Sequence, residues 1–185
     1  MLFVCVIWGF NFVAAKYGLR ELPPLLFTAI RFSILALLLS PFLKYEPGRM
    51  RDITAIALFN GAIHFALMFT GIALTAASVV AVVVQLNVPF ATLLSIVFLG
   101  EVVNWRRWMG IALTFVGVMI VSFDPHVFES LTGVLFAGAA ALSGATATIF
   151  MRRLTKVGVF QLQSWTATIT APLLIAATFI FERGQ

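Results

Sequence analysis

The chain has 185 residues, of which 62% are hydrophobic and only 10% charged. So few charges cannot keep a folded domain of this size in water, which excludes a soluble globular protein and makes lipid the main solvent. The net charge of +5 does not indicate a nucleic-acid partner, because the basic residues lie in short gaps between apolar runs and form no patch interleaved with aromatics. The single cysteine, Cys5, excludes an intrachain disulfide and a cysteine-built metal site, and its apolar surroundings make it a packing residue.

Residues 2–19 form the first apolar run, starting at Met1. A signal peptide needs a basic start and a small-residue cleavage site; neither is present, so the run reads as a retained helix, with the flank before it expected to be missing. Pro23 and Pro24 reset the chain, and residues 25–43 make a second span. The loop KYEPGRMRD at 44–52 contains a Pro-Gly turn. A third span follows at 53–74, a minimal uncharged turn at 75–78 and a fourth span at 79–100. Residues 101–108 are polar, residues 109–123 with their flanks are the fifth span, and Asp-Pro opens a turn at 124–132. The sixth span is 133–151, the basic loop 152–158, and the seventh span 159–181, with Pro172 inside it. The predicted class is an all-α polytopic membrane protein of about seven helices.

Charge sets the sidedness. Assigned alternately to two sides, the loops collect Lys44, Arg49, Arg51, Arg106, Arg107, Arg152, Arg153 and Lys156 on one, and Lys16, Arg20 and Arg183 on the other. The positive-inside rule makes the first side cytoplasmic, and with it the amino terminus of a multi-pass protein of the cell membrane.

Polar residues inside the spans are the candidate site. The fourth span carries Gln85, Asn87 and Pro89 near its middle. Proline cannot bond the carbonyl of Gln85, so the helix should bend there and leave a backbone acceptor free, either lining a pathway or merely shaping helix packing. Asn60 and His64 are four apart in the third span, with Met68 and Gly71 continuing the same face. They either line a pathway with Gln85 and Asn87 or make interhelical bonds worth about 0.6 kcal/mol each. Trp8 and Asn11 share a face of the first span above Ala15 and Gly18, as one wall of a pocket or as ordinary packing. Arg31 lies roughly 10 Å inside the second span. It either snorkels outward or pairs with Glu21, or it attracts a substrate carboxylate. Lys16 reads as a snorkelling anchor.

Absences narrow the chemistry. No Asp or Glu lies deep in a span, so this part of the chain offers no carboxylate proton carrier; His64 is the residue left to titrate. His64 and His126 have no metal-ligand spacing, and neither a metal nor a cofactor is expected. No paired carboxylates or nucleophile–base pattern marks an enzyme. Small residues, Ala137, Ala141 and Ala145 in the sixth span and Gly110 and Gly117 in the fifth, predict close helix contacts within the chain or in a homodimer. The threonine-rich seventh span is expected to satisfy carbonyls freed by Pro172.

The pattern of the first span returns loosely at 133–153, five helices later, and an odd separation makes the second copy inverted, a recurring plan for transporters. IWGFNFVAAKYGL at 7–19, the following Pro-Pro and AIRF at 29–32, VVVQLNVPFATLLSIVFLGE in the fourth span and WMGIALTFVGVMIV at 108–121 together resemble the EamA-type drug/metabolite transporters, and metabolite exporters among them most. The resemblance implies a complete five-helix repeat at 1–123 and the first two helices of an inverted repeat at 124–185. It further implies ten helices around a central cavity that moves small metabolites such as amino acids or their derivatives by alternating access. The chain stops after the second helix of that second repeat and is expected to be a fragment, the alternatives being completion by another chain or an accessory membrane subunit.

Overall fold

A computed structural model describes residues 2–122, 131–154 and 157–182. Most of the predicted outer loop with His126, together with Lys156, Arg183 and the side chain of Cys5, lies outside the described residues. Within them the chain forms helices and no strand: α1 (Leu2–Gly18), α2 (Pro24–Leu39, extended by one 3₁₀ turn, Ser40–Phe42), α3 (Met50–Leu74), α4 (Ala77–Leu99), α5 (Trp105–Ser122), α6 (Leu131–Arg153) and α7 (Val159–Phe181). Valine-rich runs that would favour strands in water fold as helices here, because a bilayer leaves no other way for one segment to satisfy its own backbone. Five of the helices, α2, α3, α4, α6 and α7, are long and apolar enough to cross a membrane by length and composition. The all-α polytopic membrane fold expected from the sequence is therefore the fold observed.

Two helices are not regular. In α4 the turn Val84–Leu86 tightens to 3₁₀, and the Asn87 N–H bonds back to Val84. This is the stretch just before Pro89 where the missing donor is expected to bend the helix and leave the Gln85 carbonyl free, but that carbonyl also accepts from the Asn87 N–H. In α3 the stretch Ala57–Ile63 is a π-helix, with the His64 N–H donating to the carbonyl of Phe59 five residues back. A π-turn leaves carbonyls badly placed for their own helix, and neighbours supply donors: Ser143 of α6 bonds the Phe59 carbonyl at 2.6 Å and Thr170 of α7 that of Ala57 at 3.1 Å. The threonines of α7 thus have a different task from the one expected. Thr168 and Thr178 bond the carbonyls of Ser164 and Leu174 within α7, and Thr170 reaches across to α3.

The core has two parts. One lies among α1, α3, α4, α5 and α6, around Phe69, Ile72, Val80 and Val83; the other lies where α2 and α7 pack side by side against α3, around Phe32, Ala167 and Leu174. Ala137, Ala141 and Ala145 are fully buried on α6, which packs against α3 and α4, so this stripe serves packing within the chain. At the far end of the same contact, a Cβ on Gly133 would meet Cβ of Thr75 at 2.8 Å and one on Gly71 the Gly133 carbonyl oxygen at 3.1 Å. Backbones touch there, as small residues allow.

Charged side chains tie the helix ends. Lys16 is not a snorkelling anchor: its Nζ donates to the carbonyls of Ile72 and Thr75, at 2.7 and 2.8 Å, and caps the carboxyl end of α3. Glu182, just past α7, accepts from the N–H groups of Leu25 and Leu26 at 2.8 and 3.0 Å. With Pro24 at the first helical position and no side-chain cap of its own, α2 receives its amino-terminal anion from α7. At the opposite end Arg152 pairs with Glu101 at 2.6 Å, and Gln161 and Trp165 both donate to the Lys44 carbonyl.

Candidate functional site

Arg31 occupies the middle of α2, and a cation inside a span needs partners that its own helix cannot provide. The side chain is exposed, and the structure pairs it with neither Glu21 nor another carboxylate among the described residues. Its Nη1 donates to Oδ1 of Asn11 on α1 at 2.9 Å, and its guanidinium lies 5.6 and 5.8 Å from the ring centres of Phe65 and Phe69 on α3. Those rings offer their faces to the cation. Phe65 and Phe69 stack on each other with centres 5.9 Å apart, so the two rings form one continuous platform.

Around this arginine are two cavities. The first, about 170 Å³, lies among α1, α2, α3 and α4 and is lined by Trp8, Asn11, Arg31, His64, Phe65 and Met68 with apolar neighbours. The second, about 150 Å³, lies between α2, α3 and α7 and is lined by Arg31, Asn60, Phe65, Gln163 and Thr166 with Phe32 and Leu35. Arg31 and Phe65 form the wall common to both. A larger groove of about 470 Å³ between α4 and α6 is almost wholly apolar. It lacks the convergent polar groups that a polar ligand needs.

His64 is held firmly. Its Nδ1 lies 2.7 Å from the Ala140 carbonyl, and since a carbonyl only accepts, Nδ1 carries the proton and Nε2 is left as an acceptor. The ring meets Phe65 edge-on at 5.1 Å. His64 therefore makes an interhelical bond and lines the first cavity as well. Asn87 lies beside it: a Cβ on Gly144 of α6 would collide with Nδ2 of Asn87 and approach Nδ1 of His64 at 3.1 Å. Only glycine leaves room there for both polar side chains.

The predicted site residues separate into groups. Trp8, Asn11, Arg31 and His64 come together around the first cavity. Asn60 and His64, four apart on α3, line different cavities, His64 the first and Asn60 the second, with Phe65 lining both. Met68 stays with His64, whereas Gly71 meets α6. Gln85 is exposed, Asn87 is half-buried against Gly144, and Pro89 is buried and lines a cleft with α5 residues. Gln163 and Thr166 went unrecognised as cavity residues, since nothing in a threonine-rich apolar run distinguishes one hydroxyl from another. Among the described residues no three His, Cys, Asp or Glu side chains converge as metal ligands would.

Comparison with known proteins fits this architecture. The chain is 29% identical over 190 residues to a protein of Escherichia coli (strain K12) named probable amino-acid metabolite efflux pump, covering 98% of this chain and 63% of that protein. It is 27% identical over 191 residues to an uncharacterized transporter of Bacillus subtilis (strain 168), covering 97% and 65%. To the S-adenosylmethionine uptake transporter of Rickettsia felis it is 28% identical over 169 residues, covering 87% and 56%. The chain thus spans less than two thirds of the length of these relatives. No solved structure matches it. Residues 1–123, well over half of the chain, match the EamA-like transporter family, and the chain belongs to that family.

Proposed function

We propose that this chain is part of a small-metabolite transporter of the cell membrane that works by alternating access, with the Arg31-centred cavity as part of its solute path. The observation that carries the reading is Arg31 itself. Held by Asn11 and two phenylalanine faces inside the spans, it lines a cavity together with an indole and the free nitrogen of an imidazole. A packing element has no need of such a set, whereas a polar solute crossing an apolar barrier does. The names of the relatives, one an amino-acid metabolite efflux pump and one an uptake transporter, support a small polar metabolite and leave direction open. Amino acids or their derivatives, exported or exchanged, are the solutes this reading favours. The family name and these relatives favour transport over catalysis.

In this reading residues 1–123 are the first five-helix repeat and residues 124–185 begin a second, inverted one. The amino terminus is cytoplasmic, supported by the basic loops around Arg49, Arg106 and Arg152 at the end where α1 begins. The partners are the bilayer and the solute. For a second copy of the chain, the exposed Gly110 and Gly117 of α5 are the surface left, since the α6 alanines are buried. The test is solute flux through the full-length natural protein reconstituted in vesicles. Trp8→Ala and His64→Ala should lower flux at least severalfold while Leu37→Ala, on the exposed side of α2, does not. Equal flux in all three would remove this cavity from the path.

A further inference from the structure

The second cavity is walled from the first by Arg31 and Phe65, and the functions discussed so far make no use of it. We propose that it is a binding subsite for a small monovalent anion, held by Arg31, Asn60, Gln163 and Thr166.

Thr166 is the first ground. Threonines inside helices normally return their hydroxyl to the carbonyl four residues earlier, and Thr28, Thr70, Thr92, Thr146, Thr168 and Thr178 all do so here. Thr166 does not. It is 2% exposed, it lines the second cavity, and among the described residues its hydroxyl is the buried side-chain atom left without a partner. Its methyl lies 3.2 Å from where a Cβ on Gly61 would stand, so the packing of α3 on α7 holds the side chain in place. A buried donor left open in a well-packed contact calls for an occupant of the cavity.

Charge is the second ground. Guanidinium has five N–H donors, and the one bond from Arg31 to a described residue is that from Nη1 to Asn11. Among the described residues no carboxylate pairs with it: the ion pairs are Arg49–Glu46 and Arg152–Glu101, both at the helix ends. An uncompensated cation inside a span is unfavourable. The remaining polar liners, the half-buried Asn60 and the exposed Gln163, bring amide donors. Cation, two amides and a hydroxyl around about 150 Å³ suit an anion of carboxylate or chloride size with an accompanying water.

The ligand chemistry is one of monoanion recognition, and its source is either free chloride or the carboxylate of a solute. The proposal goes beyond the transport reading, because the cavity can bind an anion whether or not it lies on the solute path. The test uses the full-length natural protein in detergent micelles. Thermal unfolding is followed while chloride, or separately acetate, replaces gluconate at constant ionic strength. A saturable rise in Tm is expected, with the half-saturating concentration raised about tenfold in Thr166→Val and in Gln163→Leu, as loss of one bond to a charged ligand implies. Saturation by chloride without competition from acetate marks a free inorganic ion; saturation by acetate marks a solute carboxylate. No saturable shift with either anion, or an identical curve in Thr166→Val, overturns the site. Flux measured on the same protein keeps the two readings apart: a protein that transports but shows no anion-dependent shift retains the function proposed above and loses this subsite.

Discussion

The contact between the π-turn of α3 and α7 gives a prediction with a sign as well as a size. A Cβ added at Gly61 would collide with Oγ1 of Thr170 and stand 3.1 Å from Cβ of Thr170 and 3.2 Å from Cγ2 of Thr166. Both threonines are buried on a β-branched stem, so neither can simply swing away. Overpacking of this kind costs about 1–3 kcal/mol. The collision also displaces the hydroxyl from the Ala57 carbonyl, which adds about 0.6–1.7 kcal/mol for an interhelical bond in a membrane. Gly61→Ala should therefore destabilise by about 2–5 kcal/mol, and Thr170→Ala by about 1 kcal/mol through the lost bond. The double variant should be more stable than Gly61→Ala alone, because truncating Thr170 vacates the space that the new methyl needs; Thr166 remains close, so recovery is partial. Equilibrium unfolding of the four proteins in mixed micelles measures the cycle. Additive effects, or a Gly61→Ala protein as stable as the wild type, would refute the claim that this glycine exists to admit Thr170.

Two further predictions concern the helix ends. Lys16→Met keeps the stem but removes both bonds to the carbonyls of Ile72 and Thr75. The half-exposed site should lose about 1–2 kcal/mol, read as a lower unfolding midpoint, with faster amide exchange confined to the turn joining α3 and α4; an unchanged exchange pattern would mean that the cap is dispensable. For sidedness, Val102 is 99% exposed in the α4–α5 loop. Val102→Cys in a Cys5→Ser background should react with an impermeant maleimide only after the cells are opened, and labelling of intact cells would invert the orientation.

Much of the fold was legible because in lipid the apolar runs are themselves the helices. The seventh span was read with the bounds observed, Val159–Phe181. Differences arise where a helix continues into polar sequence: α3 starts at Met50, taking Arg51 and Asp52 into its first turn, and α5 starts at Trp105, taking in Arg106 and Arg107. Pro89 announced the irregularity of α4 because a missing N–H is visible in one letter. The π-turn of α3 was not legible, since its supporting donors, Ser143 and Thr170, lie far along the chain. The grouping of Trp8, Asn11, Arg31 and His64 was foreseen only as separate residues on separate helices. Their convergence depends on crossing geometry, and that is set by close contacts such as Gly71 with Gly133 and Gly144 with Asn87. The role of Lys16 is hidden for the same reason: sequence shows a cation near a helix end, but not the carbonyls waiting on a neighbour.

The measurement closest to the central claim is solute efflux from vesicles holding the full-length natural protein, wild type against Arg31→Gln. Membrane content and unfolding midpoint are measured alongside. Glutamine keeps a polar group near Asn11 but gives up the charge and the planar fork. If the Arg31 cavity is part of the path, flux of at least one small polar metabolite falls by about tenfold or more in a variant that is inserted and folded normally. Wild-type flux in such a variant would contradict the account and leave Arg31 a structural residue.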